Sequence, residues 1–352
     1  MRKTSMRRIM TAGPCETNTT CGRSAGGDEC CVRLTTLLLL AALTVCPQAA
    51  TYSRAGMRYD GVICVDAASG QVLAEDSADY PGRPASVTKL MTLLLVLEDI
   101  ESGAIRSDRK VKATREAART GGSQVWLAEG ESFTVEELLH ALMLQSANDA
   151  AVALAVDRAG STAAFVARMN ERASRLGMAA TRFASPNGLT EGAGPHDRST
   201  ARDLARLCVE LVKKPAALKY ASTRSFMLFR PGGRSILLTN HNHLLTDYRG
   251  CDGLKTGYTS ASNASIATTA VRDGRRVVAV VLGCDSPAGA KPEQRIRDQL
   301  ASELMDVGFT RLAALAEAEA AKQVSLKAAP KTKGRPAREP DIWDWLADLF
   351  SF

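Results

Sequence analysis

The chain has 352 residues, 45% of them hydrophobic and 24% charged, the balance of a globular protein long enough to bury a sizeable core. Its net charge of +7 is thinly spread: residues 1–50 hold six Lys/Arg and three Asp/Glu, leaving 39 against 35 elsewhere. So even a distribution, with no aromatic-studded basic patch, excludes nucleic acid as a partner and leaves only a mild attraction to anionic polymers.

The first element in chain order is an apolar run from Leu34 to Val45, preceded by Arg33 and followed by Pro47, Ala49 and Ala50. It is too short to span a bilayer comfortably and has the length of a signal-peptide core, so residues 1–50 are expected to be an export leader. The stretch before the run is long for such a signal, which suggests a true start further along the chain. Val45 before Cys46 argues against a lipidated cysteine, because that position normally takes a small residue. Five of the nine cysteines fall in the leader. The other four, Cys64, Cys208, Cys251 and Cys284, are dispersed and read as isolated core thiols rather than a disulfide framework or metal site. None of His140, His196, His241 and His243 stands in a His-Glu-x-x-His arrangement, which argues against a zinc peptidase.

Two short β-type runs follow, Gly61–Asp66 and Gln71–Glu75, joined by Ala67-Ala-Ser-Gly70 as a hairpin. Helical patterns occupy the middle: Ser86 to Glu98; Val135 to Arg158, opened by Thr134 and Glu137 as a capping box; Thr162 to Leu176; and Thr200 to Val212 before Pro215. A second hairpin pairs Ser265–Arg272 with Arg275–Leu282 across Asp273-Gly274. The expected class is α+β, an antiparallel sheet drawn from both ends of the domain and flanked by helices, with a helical subdomain between. Beyond Phe309, residues 311–328 are Ala/Glu/Leu-rich and read as helix, and residues 331–340 read as an exposed linker. In residues 342–352 an apolar helical stripe of Ile342, Trp345, Leu346 and Leu349 suits a membrane interface, although Asp344 and Asp348, with no Lys or Arg nearby, disfavour anionic headgroups. A helix folding back on the domain or docking a partner is the other reading of that segment.

Three short motifs carry the chemistry. In Ser86-Val-Thr-Lys89 the i,i+3 spacing places a hydroxyl beside an amine on one helix face, and a lysine kept neutral by burial can activate a serine. The backbone N–H of Ser86, at a helix start, is free to face an oxyanion. Ser146-Ala-Asn148 interrupts the apolar run Leu138–Leu144, so its polar groups need neighbours or a cavity. In Lys255-Thr256-Gly257 the lysine and threonine can hold a carboxylate, the glycine admits a close approach to a strand, and the N–H of Tyr258 can complete an oxyanion hole. Each motif alone is weak: a capping serine with a solvated lysine, a polar kink in a core helix and a chance tripeptide explain them as well. Together and in this order they form the trio of β-lactamases and penicillin-binding proteins.

With Val65–Leu73, Pro84–Thr92, Gly121-Gly-Ser, Ser146–Leu154, Pro186-Asn-Gly-Leu189, Ser199–Asp203 and Asp252–Thr259, the chain resembles the D-alanyl-D-alanine carboxypeptidase family over roughly residues 58–310. The resemblance implies a β-lactamase/transpeptidase-like fold with a catalytic domain over residues 54–310 and a tail over 311–352. It implies that Lys89 deprotonates Ser86, that Ser146 relays a proton, and that Asn148, Lys255, Thr256, Gly257, Tyr258 and Arg297 bind substrate. Peptidoglycan stem peptides ending in D-Ala-D-Ala become the expected substrate, β-lactams the expected inhibitors and the cell envelope the expected location, with no metal or organic cofactor. Arg297, placed before Gly308-Phe309, resembles an arginine the family uses near the carboxylate, though an exposed helix charge is the plainer reading. Two departures stand out: Ser262-Asn263 where relatives often carry Ala-Gly, and His241 within Asn240-His-Asn242 where some relatives carry Arg. Among rivals, a class A β-lactamase would add a glutamate for deacylation, and residues 172–190 contain none. A D,D-endopeptidase would use the same residues, and an idle wall-binding scaffold would not need all three motifs intact.

Overall fold

The computed structural model describes residues 50–51, 57–189, 194–230, 233–286 and 290–328. Nearly all of the expected leader, the expected linker and the stripe at residues 342–352 lie outside them.

In chain order come β1 (Ala50–Thr51), β2 (Gly61–Asp66), β3 (Val72–Asp76), a 3₁₀ turn (Ala85–Thr88), α1 (Lys89–Glu101), β4 (Lys110–Lys112), α2 (Arg115–Ala118) and β5 (Ser132–Thr134). Then follow α3 (Val135–Leu144), α4 (Asn148–Ala159), α5 (Thr162–Arg175), α6 (Ala201–Val212), α7 (Pro215–Ser222), β6 (Ser225–Leu228), β7 (Ile236–Thr239) and α8 (Leu244–Asp247). The last elements are β8 (Cys251–Thr259), β9 (Asn263–Arg272), β10 (Arg275–Cys284) and α9 (Ala290–Ala328).

Six strands form one sheet in the order β1-β3-β2-β10-β9-β8, so the hairpin from the start joins the hairpin from the end through β2 and β10, as expected. The pairing is antiparallel except where β1 lies parallel to β3. Side chains alternate across a strand, and here both faces are apolar because both are covered. Val62, Cys64, Val277, Ala279 and Val281 pack with Leu300, Ala301, Leu304 and Met305 of α9. Ile63, Val65, Val278, Val280 and Leu282 join the larger core made with α1, α3, α4 and α6. The four cysteines among the described residues are free thiols, three of them buried and Cys251 half-buried.

One sequence expectation needs correction and two are extended. The single helix over 135–158 is two: α3 ends at Leu144, Ser146 takes a left-handed φ of 58°, Ala147 is extended, and α4 starts at Asn148. The break is closed by the Ala147 N–H on the Ala141 carbonyl at 3.1 Å. Lys255-Thr256-Gly257, ahead of the second hairpin, lies itself within a strand, β8, at the sheet edge. The helix expected over 311–328 is the end of α9, which runs unbroken from Ala290 to Ala328, with Leu312 its last buried residue among those whose burial is described. Among the described residues no single helix is long and apolar enough to cross a membrane.

Candidate active site

Ser86 does not sit in an α-helix but in the 3₁₀ turn that leads into α1. In such a turn residues i and i+3 eclipse, which sets Lys89 directly against Ser86. Lys89 Nζ lies 2.9 Å from Ser86 Oγ, 2.7 Å from Asn148 Oδ1 and 2.6 Å from the Asn187 carbonyl. The amine is fully buried, and desolvation first, the charge of Lys255 second, hold its pKa well below the usual lysine value, against an opposing pull from Asp197 and Asp149.

Two buried carboxylates fix this arrangement from behind. Asp197 accepts from Thr88 Oγ1 at 3.0 Å, from the Ser185 N–H and Oγ at 2.9 Å each, and from the Ala184 N–H, while Thr92 Oγ1 bonds the Pro186 carbonyl at 2.6 Å. Together they tie loop 184–189 to α1 and aim the Asn187 carbonyl at Lys89. Asp149 accepts from the N–H groups of Val125, Leu127 and Ala150, pinning the loop whose Gly121 carbonyl receives Asn148 Nδ2 at 2.8 Å. That bond orients the Asn148 amide so that its oxygen faces Lys89. Burial raises the pKa of both carboxyls, partly offset by these hydrogen bonds.

Two close approaches complete the frame. A Cβ on Gly188, whose φ is +81°, would lie 1.8 Å from the Ala85 carbonyl oxygen, and one on Gly257 would lie 2.7 Å from the Pro84 carbonyl oxygen and 3.1 Å from the Ser86 nitrogen. Loop 184–189 and strand β8 therefore clamp the serine turn from two sides, and only glycine fits either contact. Ala85, just before the serine, is itself held at a left-handed φ of 49°. Such non-glycine conformations cost about 1–3 kcal/mol each and persist only where the surroundings over-determine them.

The cleft in front of Ser86 has a volume of about 410 Å³, and its walls include Ser86, Ser123, Ser146, Thr256, Gly257 and Tyr258. Ser146 is 5% exposed and its Oγ has no hydrogen-bond partner among the described residues. Buried hydroxyls are usually paired, so this one is available to a group in the cleft. Lys255 is 1% exposed, bonds the Thr256 carbonyl at 3.1 Å, and is brought to a pKa of about 7 by burial and by Arg297. Arg297 is not an exposed helix charge: it is 3% exposed, lines the cleft, and bonds Asp298 Oδ1 through Nε at 2.9 Å and Nη2 at 2.7 Å.

The structure thus gathers every site residue expected from sequence around one cleft, six at its surface (Ser86, Ser146, Thr256, Gly257, Tyr258, Arg297) and three buried beside it (Lys89, Asn148, Lys255). Sequence reasoning gave no role to Ser123, Thr239, His243 and Gln294 on its walls, nor to Asp149 and Asp197 behind them. Asp149 directly follows the second motif, and Asn187 stands within one of the quoted segments. Asp197 carries no local signal.

Residues 48–286 match the family model described as D-alanyl-D-alanine carboxypeptidase. The chain is 34% identical over 249 residues to D-alanyl-D-alanine carboxypeptidase DacF of Bacillus subtilis, covering 71% of this chain and 61% of that one. It spans about three fifths of DacF and of the Escherichia coli relatives DacD and DacC. Among solved structures, D-alanyl-D-alanine carboxypeptidase DacD from Francisella tularensis superposes with a TM-score of 0.66 at 26% identity, covering 74% of this chain and 71% of that one. Ampicillin-bound penicillin-binding protein D2 from Listeria monocytogenes gives 0.63 at 31% identity, covering 73% of this chain and all of that one. The antiparallel sheet with its helical subdomain is therefore the penicillin-binding, transpeptidase-like fold. A match extending over more than half of the sequence and carrying all three motifs into one cleft leaves a single conclusion: the chain belongs to the D-alanyl-D-alanine carboxypeptidase family.

Proposed function

We propose that this protein is a serine D,D-carboxypeptidase that removes the terminal D-Ala from peptidoglycan stem pentapeptides through an acyl-enzyme on Ser86. The observation that carries this reading is the environment of Lys89. A neutral amine has two N–H donors and one lone pair. With Asn148 Oδ1 and the Asn187 carbonyl taking the donors, the lone pair is left for the Ser86 hydroxyl. Lys89 then accepts the Ser86 proton as Oγ attacks the carbonyl carbon of the penultimate D-Ala. The backbone N–H groups of Ser86 and Tyr258 receive the oxyanion, and Ser146, with Lys255 nearby, passes a proton to the departing D-Ala nitrogen as the C–N bond breaks. Water attacks the ester, Ser86 recovers its proton, and the shortened peptide leaves. Thr256 and Arg297 hold the terminal carboxylate, while Asn148 and the edge of β8 position the peptide.

Fluorescent penicillin should acylate the wild-type protein and leave it slowly, and Ser86→Ala should take no label; rapid turnover of penicillin would instead make it a β-lactamase. Digestion of linear against cross-linked muropeptides separates carboxypeptidase from endopeptidase action. The acylation rate should fall on acidification as Lys89 captures a proton, whereas peptide KM should rise above pH ~7 as Lys255 loses its charge. A pH profile of both constants checks the two signs. In this reading residues 1–50 serve as an export leader, residues 54–310 as the catalytic domain, and residues 342–352 as a tether to the membrane. Cell fractionation of the full chain and of a chain lacking 342–352 tests the first and last of these assignments.

A further inference from the structure

We propose that the pocket between Asp60 and the turn after β8 is a subsite for the zwitterionic end of a diamino acid, the residue that precedes D-Ala-D-Ala in the stem peptide. This rests on the carboxypeptidase reading and names the side chain which that reading leaves open.

A second pocket, of about 630 Å³, has Asp60, Tyr80, Arg83, Arg198, Ser262 and Asn263 on its walls. Two of these walls continue those of the catalytic cleft. Tyr80–Arg83 lead through Pro84 into the serine turn, and Ser262 and Asn263 follow the end of β8, the strand whose Gly257 abuts the Pro84 carbonyl. The direction of the substrate follows from the two contacts already assigned to it. With its carboxylate at Thr256 and its reacting carbonyl at the Tyr258 N–H, the peptide runs antiparallel to β8, an edge strand with one side unpaired. The residue before D-Ala-D-Ala therefore falls beside Thr259 and the turn that lines this pocket.

Three charged side chains wait there without a partner. Asp60 is half-buried, yet its carboxylate makes no hydrogen bond or ion pair among the described residues. Packing alone seats it: the Asp60 N–H bonds the Leu282 carbonyl at 2.8 Å, and a Cβ on Gly82 or Gly283 would come to 2.4 or 2.2 Å from Oδ2. A carboxylate drawn out of water is normally paired, so this one is available to a cation in the pocket. The guanidinium groups of Arg83, half-buried, and Arg198, exposed, likewise engage no acceptor among the described residues. The other carboxylate of the lining, Asp197, is already taken up by loop 184–189. A bare ammonium would thus meet two cations as well as Asp60. An ammonium with a carboxylate on the same carbon suits all three, its N–H groups donating to Asp60 and its oxygens accepting from the arginines. Tyr80, 60% exposed, lends its ring to the aliphatic stem.

The test is release of D-alanine from three peptides Nα-acyl-X-D-Ala-D-Ala, in which X is meso-diaminopimelate, the same residue acetylated on its distal amine, or lysine. The wild-type protein should favour the first over each of the others by about tenfold in kcat/KM. Asp60→Asn should abolish the difference between free and acetylated amine, and Arg198→Gln should shrink that between diaminopimelate and lysine. Equal kcat/KM for all three peptides in the wild type, or a preference for the free amine that survives Asp60→Asn, overturns the subsite. Failure of the wild type to release D-alanine from any of the three would instead sink the carboxypeptidase reading, so the two failures are distinguishable.

Discussion

Replacing Lys89 with methionine should lower the rate constant for penicillin acylation by about 10³-fold while leaving the protein folded, with a melting temperature within a few degrees of wild type. Methionine fills nearly the same volume, and the site is fully buried, so no cavity opens. What is lost is the group that accepts the Ser86 proton. Two acceptors, Asn148 Oδ1 and the Asn187 carbonyl, lose their donor at about 1–3 kcal/mol each, and removal of a desolvated amine offsets much of that. Stopped-flow acylation paired with calorimetric melting checks both halves. An acylation rate within about tenfold of wild type would remove Lys89 from the base role.

Asp197→Ala should have the opposite profile, a large loss of stability with activity falling as a consequence. The carboxylate accepts from two backbone N–H groups and two hydroxyls that have become buried with the loop they hold. Cutting out such a hub leaves several donors unsatisfied at once, a loss of about 3–5 kcal/mol. In a domain of this size that corresponds to a drop of roughly 10 °C in melting temperature. Released from Asp197, loop 184–189 no longer fixes the Asn187 carbonyl against Lys89, so acylation should slow even below the transition. A variant melting within about 2 °C of wild type would show that the loop is held by other means.

These two predictions also mark the division between what the sequence discloses and what only folding supplies. Ser86 and Lys89 are adjacent through local spacing, and the Thr134–Glu137 capping box and the Asp273-Gly274 hairpin follow from residues within a few positions of one another. The break at Ser146 is different. The polar residues Ser146 and Asn148 mark an interruption, but the left-handed residue is a serine rather than a glycine, so nothing in the sequence says that the interruption is a break between two helices. Strand β8 hid behind Asp252 and Lys255, because a lysine is a poor strand signal until the cleft that needs it, and leaves it only 1% exposed, is seen. Asp197 was illegible for a more general reason: its partners Thr88 and Ser185 lie 109 and 12 residues away, and one of the groups it orients, the Asn187 carbonyl, belongs to the backbone. Roles taken by main-chain atoms leave no trace in residue identity.

The unbroken course of α9 has a mechanical consequence. After Leu312 the helix continues for 16 residues to Ala328, a rod about 24 Å long at 1.5 Å per residue, rigidly continuous with the segment packed under the sheet. Without a joint between them, any torque at the far end turns the cleft as one piece. Inserting two residues into that rod would push the mouth of the cleft only about 3 Å outward yet swivel its bearing by about 200°. Aim, more than reach, is what the length of this shaft controls.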